Sequence, residues 1–256
     1  MSRTADVLRT GLRGLGQTLI TLGLVVLLFC FYELKITNLV TAQEQSQLAD
    51  ELASSWAEPP PLLAETPVDP GAPAVSDNPR APGVPGQPGS PAFKPVAAEL
   101  GRGFAVLRIP RLDRWNDKPP VVVEGVGVAD LKKGPGHIPG TAMPGEFGNV
   151  VLSGHRTTYG APFNRFDELR PGDAVVLETR DMWFTYQVTG SQIVSPTAVE
   201  VTYPVPGDPT ATPTERLLTM TTCNPKYSAK QRLIVSAELT ASDAKSAGLP
   251  AALAMA

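Results

Sequence analysis

Three side chains in this 256-residue sequence have the types that acyl transfer requires: the thiol of Cys223, the imidazole of His155 and the guanidinium of Arg232. A thiolate attacks a carbonyl carbon, and an imidazole carries the proton between the thiol and a leaving amine. Arginine keeps its proton and therefore cannot act as the base, but it stabilises a developing oxyanion. The chain has only two cysteines and two histidines, so few other assignments exist. Cys30 lies in a long apolar run, which makes it membrane-facing and inert and separates it from Cys223. His137 sits among turn residues, in Gly134-Pro135-Gly136-His137-Ile138-Pro139-Gly140, and reads as loop structure. Each of the three candidates also has a structural reading: a small buried hydrophobe, a satisfied core imidazole, a solvated strand start.

The elements around these residues argue for the chemical reading. Apolar and β-branched residues run from Leu217 to Cys223, Asn224-Pro225 signals a turn, and a second apolar run begins at Arg232. Pairing the two runs antiparallel with Cys223 opposite Arg232 sets Thr222 against Leu233, Thr221 against Ile234 and Met220 against Val235. It also sets Thr219 against Ser236 and Leu218 against Ala237. Opposed residues share a face of a sheet. The register therefore predicts Leu218, Met220, Leu233, Val235 and Ala237 on an inner face. Cys223 and Arg232 then lie together on the outer face, about 5 Å apart at Cβ. His155 follows the strand Val150–Gly154 and opens a polar turn, a position where reactive groups are commonly carried.

The rest of the chain divides by composition. Residues 1–14 carry Arg3, Arg9 and Arg13 against Asp6 and read as a cytoplasmic tail. Residues 15–34 form an uncharged apolar run to Tyr32, about the length of a membrane-crossing helix. No small-x-small cleavage pattern follows it, so a retained anchor is expected rather than a signal peptide. Basic residues before the span and acidic Glu33, Glu44, Asp50 and Glu51 after it put the N-terminus inside and the remainder outside the cell. Residues 35–58 predict a short helical stalk, with Leu48, Leu52 and Trp56 at helical spacing. Residues 59–95 hold twelve of the 27 prolines and predict a disordered, polyproline-like spacer. At about 3.1 Å per residue that spacer reaches on the order of 115 Å. Residues 96–240 alternate short apolar runs with Gly, Pro and Asp turns. Seven or eight strands with little helical periodicity predict an all-β barrel or sandwich. Residues 241–256 read as a flexible C-terminal tail. A net charge of -3 gives no basic footprint for nucleic acid.

The motifs resemble a known family. Thr219-Met220-Thr221-Thr222-Cys223 followed by Arg232 is similar to the sortase signature T-L-x-T-C with its downstream arginine. The string from Gly154-His155-Arg156 to Phe163, with Cys223-Asn224-Pro225-Lys226-Tyr227-Ser228, resembles class E sortases of actinobacteria. Met220 departs from the usual Leu at a core-facing position, a nearly neutral exchange. The resemblance covers roughly residues 104–238. It implies the sortase eight-stranded β-barrel and a membrane-anchored cysteine transpeptidase. Cys223 would cleave a Leu-Ala-x-Thr-Gly-like sorting signal between Thr and Gly through a thioacyl intermediate. His155 would protonate the leaving amine and then deprotonate a cell-wall precursor amine, lipid-linked in the family's manner; Arg232 would hold substrate and stabilise the oxyanion. Thr221, Thr222 and Tyr159 are the substrate-binding candidates. Other readings are a housekeeping or pilin-polymerising sortase of another class, or an inactive tethered barrel that binds wall peptides. His and Cys are too few for a zinc site, and no clustered acidic loop suits calcium, so no metal or other cofactor is expected. The Arg232 charge is expected to disfavour protonation of His155.

Overall fold

A computed structural model describes residues 3–32, 37–57, 96, 98–113 and 118–254. The Pro-rich spacer expected at 59–95 lies outside the described residues. Helix α1 (Arg3–Phe31) contains an apolar window from Arg9 to Phe31, long and apolar enough to cross a membrane. Its helix starts well before the predicted span, and no proline interrupts it. Thr18 and Thr21 donate their hydroxyls to the carbonyls of Gly14 and Gln17, so these polar groups are satisfied within the helix.

Eight strands close into a barrel, in the order β1-β2-β3-β4-β7-β8-β6-β5. They are β1 (Gly103–Arg108), β2 (Val121–Glu124), β3 (Gly136–His137), β4 (Gly148–Ser153), β5 (Ala174–Glu178), β6 (Met182–Val194), β7 (Arg216–Asn224) and β8 (Gln231–Ala244). Closure removes the open sheet edges that a sandwich would leave. The expected hairpin register is observed pair for pair, from Leu218 with Ala237 to Cys223 with Arg232. Leu218, Met220, Leu233, Val235 and Ala237 are buried in the main core, with Phe104, Leu152, Phe163, Phe166 and Phe184.

Three strands differ from the sequence expectation. The two apolar runs at 183–188 and 193–194 are one long strand, β6, whose register shifts between Val188 and Gly190. An irregularity of this kind interrupts the alternation that marks a strand in sequence. His137 belongs to the two-residue strand β3, which pairs with β2 and β4. Its imidazole is fully buried: Nδ1 lies 2.6 Å from the Glu124 carboxylate and Nε2 lies 3.0 Å from the Ala142 carbonyl. The segment after Thr240 is not frayed at its start. Strand β8 continues to Ala244, paired with β6. Lys245 then donates to Glu178 at 2.7 Å, with its ammonium 4.2 Å from the Trp56 ring. Ala and Ser carry no strand signal of their own; the partner strand supplies the hydrogen bonds that keep them extended.

Helix α2 (Thr37–Ala57) is not a solvated stalk; it packs on the barrel. Leu48 and Leu52 are buried against Val121 and Val123. The Gln45 amide accepts from the Val121 N–H at 2.7 Å and donates to the Val121 and Lys133 carbonyls at 3.1 and 2.7 Å. It thus pairs backbone groups of β2 that would otherwise be unmet beneath the helix. Leu52→Ala is expected to destabilise the folded chain by about 2–5 kcal/mol, the usual cost of a truncated buried leucine. Urea unfolding measures this; a change under about 0.5 kcal/mol would show that α2 contributes nothing to the fold.

Candidate active site

The three candidate residues are carried by three neighbouring strands, β4, β7 and β8. Strands β4 and β7 run parallel, with Val151 beside Thr219 and Ser153 beside Thr221. Beyond Ser153 the alignment is held by side-chain and backbone bonds. Gly154 N–H donates to the Thr221 carbonyl at 3.2 Å, and the Thr222 hydroxyl donates to the Gly154 carbonyl at 2.7 Å. On the other side of His155, Arg156 Nη1 donates to the Cys223 carbonyl at 3.4 Å. His155 is therefore flanked by two residues that are both fastened to the strand carrying Cys223. Antiparallel pairing then sets Arg232 opposite Cys223. All three are partly exposed, as reacting groups must be.

The loop after β4 is shaped by packing around His155. A Cβ on Gly154 would stand 2.8 Å from the Phe163 ring, so only glycine allows this close approach. Phe163 is fully buried and stacks on Phe166 at 4.0 Å between ring centroids. Its N–H donates to the His155 carbonyl at 3.2 Å, folding the loop back over itself. Arg156 and Asn164 form a reciprocal clasp: Arg156 Nε donates to the Asn164 carbonyl at 2.9 Å, and Asn164 Nδ2 donates to the Arg156 carbonyl at 2.8 Å. Arg156 Nη2 pairs with Asp167 at 2.9 Å. Arg156 as a whole is 4% exposed.

Burial pushes the His155 imidazole below the ordinary histidine value. The cause is desolvation rather than the Arg232 charge expected from the sequence. Burial thus favours the neutral imidazole, the form able to take a proton from a thiol. An NMR titration of the His155 ring protons is expected to give a midpoint below about 6.5. A midpoint at or above that value would remove the argument.

The remaining candidates fall in different places. Arg232 Nη1 donates to the carbonyls of Ala229 and Gln231, both at 3.0 Å, which ties the guanidinium to the loop that precedes it. Thr221 shares the face and partial exposure of Cys223, two residues along the same strand. Thr222 points the other way: its side chain is 2% exposed and its hydroxyl is spent on Gly154. It is a scaffold contact and offers substrate only its backbone. The Tyr159 ring lies 5.0 Å from the His155 ring, with Lys132 Nζ 5.5 Å from its centroid. Sequence reasoning missed Arg156 as a site residue. The available signal was a charged residue directly after the histidine in a segment packed with aromatic and turn residues.

Comparison with known proteins adds independent findings. A family model described as the sortase domain matches residues 107–240. Sortase SrtE1 of Streptomyces coelicolor is 34% identical over 251 residues, covering 94% of this chain. This chain spans 60% of that relative's length. The solved structure of sortase E from Streptomyces avermitilis is 46% identical, covers 60% of this chain and 99% of its own, and superposes with a TM-score of 0.54. Sortase E1 from Streptomyces coelicolor, solved with a tripeptide in its active site, is 36% identical. That match covers 61% of this chain and 99% of the other, with a TM-score of 0.55.

Proposed function

The chain belongs to the sortase family, and from that premise we propose that it is a membrane-anchored cysteine transpeptidase of class E type. The single observation that carries this reading is the fastening of both neighbours of His155 to the strand of Cys223, with Arg232 paired across from it. In this reading a thiol, an imidazole whose neutral form burial favours and a cation act together at one end of the barrel.

The proposed sequence of steps follows. His155 takes the thiol proton as Cys223 Sγ attacks the carbonyl carbon of a Thr–Gly amide. Arg232 offers N–H donors to the resulting oxyanion. The C–N bond breaks as the His155 imidazolium gives its proton to the leaving glycine amine. A thioester remains on Cys223. An incoming amine, of the kind found on cell-wall precursors, attacks that thioester while His155 removes a proton from it. The new amide leaves and the thiol is restored. Thr221 and Tyr159 border the path a peptide would take beside Cys223, and Thr222 presents backbone there. The tripeptide bound in the active site of the Streptomyces coelicolor relative supports a peptide as ligand. Helix α1 anchors the chain, with the arginines of its first turns inside the cell.

The test uses the full chain reconstituted in phospholipid vesicles. A Leu-Ala-x-Thr-Gly peptide and diglycine are supplied, and products and intact protein are weighed by mass spectrometry. The expected result is cleavage after Thr, transfer to diglycine and a transient acyl adduct on the protein. Cleavage only of a different signal would move the chain to another sortase class. Peptide binding without cleavage or adduct would favour the inactive tethered barrel.

A further inference from the structure

Helix α2 touches the catalytic loop directly. At its first turn the Asn38 side-chain carbonyl accepts from the Gly160 N–H at 2.9 Å. One turn later, a Cβ added to Gly160 would stand 3.2 Å from the Thr41 methyl, so the two pack closely. The Thr41 hydroxyl donates to the Lys132 carbonyl at 2.9 Å, and the same lysine reaches over the Tyr159 ring. Gly160 has φ +73° and follows Tyr159, whose φ is 51°. With Ala161 at φ 46°, three successive residues in the left-handed region make a turn that needs outside support. Tyr159 in turn lies against His155. Further along, Gln45, Leu48, Leu52 and Trp56 fasten α2 to β2 and to Lys245. The helix is thus held from end to end.

The covalent chain adds a second constraint. Only six Cα–Cα steps separate Tyr32, directly after α1, from Asn38. Six steps span at most about 22 Å. The Gly160 loop therefore lies within a few nanometres of the end of the apolar helix, whatever path the intervening residues take. Leu39 and Val40 at this end of α2 are 67% and 55% exposed, a pair of apolar side chains suited to a lipid headgroup boundary.

We propose that α2 is a strap that positions the His155 loop and fixes the catalytic end of the barrel at the bilayer surface. The bilayer half of this inference rests on reading α1 as a membrane span. The Pro-rich stretch then joins two points of one docked body, the end of α2 and the start of the barrel. It does not set the height of the active site. Asn38 is a positioning residue: it touches no reacting atom and acts through Gly160 and Tyr159.

Two measurements on the full chain separate the halves of the proposal. The first compares Asn38→Ala with Asn38→Asp, which keeps an acceptor for the Gly160 N–H. Asn38→Ala is expected to speed amide exchange of the 157–162 segment about tenfold and to lower kcat about five- to twentyfold at nearly constant KM. Asn38→Asp is expected to restore both. Unchanged exchange and kcat in Asn38→Ala would overturn the strap. The second measures energy transfer from a fluorophore on Cys223, in a Cys30→Ser background, to labelled headgroups in phosphatidylglycerol–phosphatidylcholine vesicles. Duplicating residues 66–85 is expected to leave the transfer unchanged. Transfer that falls as the stretch lengthens would overturn the bilayer placement. A chain that fails to float with vesicles would overturn the membrane reading of α1, while the exchange arm still decides the strap.

Discussion

Cys223→Ala is expected to lower transpeptidation by roughly four to six orders of magnitude and to remove the acyl adduct entirely. Losses of that size accompany removal of a covalent nucleophile that acts with its base as a unit. The substitution is conservative in every other respect. Cys223 sits on the outer face of β7 at partial exposure, outside the main core, so its sulfur supports little packing. Its backbone pairing with Arg232 and its carbonyl bond to Arg156 do not involve the thiol. The folded stability of the variant should therefore match the parent within about 0.5 kcal/mol, which separates chemistry from folding. His155→Asn should cost nearly as much, and the double variant scarcely more than either single one, because a base without a nucleophile has no proton to move. Cys30→Ser serves as the internal control, since the second thiol lies on α1. An adduct that persists in Cys223→Ala would place the nucleophile elsewhere and end the proposed mechanism. Rate and intact mass, recorded on the same preparation, decide it.

The parts of this molecule that sequence reveals are those governed by short-range pattern. Alternation along residues 217–223 and 232–237 specified the hairpin register, because a shift of one residue would have exposed Leu218, Met220 and Val235 together. The same register set Cys223 opposite Arg232. The docking of α2 was hidden because its inward residues are few and spaced like those of any short amphipathic helix. What they meet, Val121 and Val123, lies some seventy residues away. Strand β3 was hidden for a similar reason: two residues between turn signals carry no period, and their pairing comes from β2 and β4. His137 shows the limit from another side. Its place among glycines and prolines signalled a loop, yet its ring is an internal strut whose partners, Glu124 and Ala142, come from separate segments.

Arg156 is where this limit matters most for activity, and it supports the second large prediction. One buried guanidinium donates to three groups on two segments: the Asn164 carbonyl and Asp167 carboxylate of the loop after β4, and the Cys223 carbonyl of β7. Lysine carries its charge on a single nitrogen and cannot reproduce a planar fork of donors. Arg156→Lys is therefore expected to leave at least one carbonyl unmet, at about 1–3 kcal/mol of stability. Arg156→Ala should cost more, about 2–5 kcal/mol, because both carbonyls lose their donor and a buried side chain's packing is lost. The kinetic effect distinguishes a positioning role from a merely structural one. His155 and Cys223 are aligned through residues 154 and 156, so loosening one clamp lets the imidazole drift relative to the thiol. A misplacement near 1 Å is worth about a hundredfold in rate. Arg156→Lys should then lower kcat by about tenfold to a hundredfold while KM changes little, because no contact to peptide is removed. Asp167→Asn is the companion variant. Its carboxylate is half exposed and also lies 4.0 Å from Lys226, so its loss should weaken the clamp without uncapping either carbonyl. Its kcat should fall less than threefold. Urea unfolding and steady-state kinetics on the three variants give the answer: a well-folded Arg156→Lys protein with parental kcat would show that the Gly154–Thr221 and Thr222–Gly154 bonds alone suffice to aim His155.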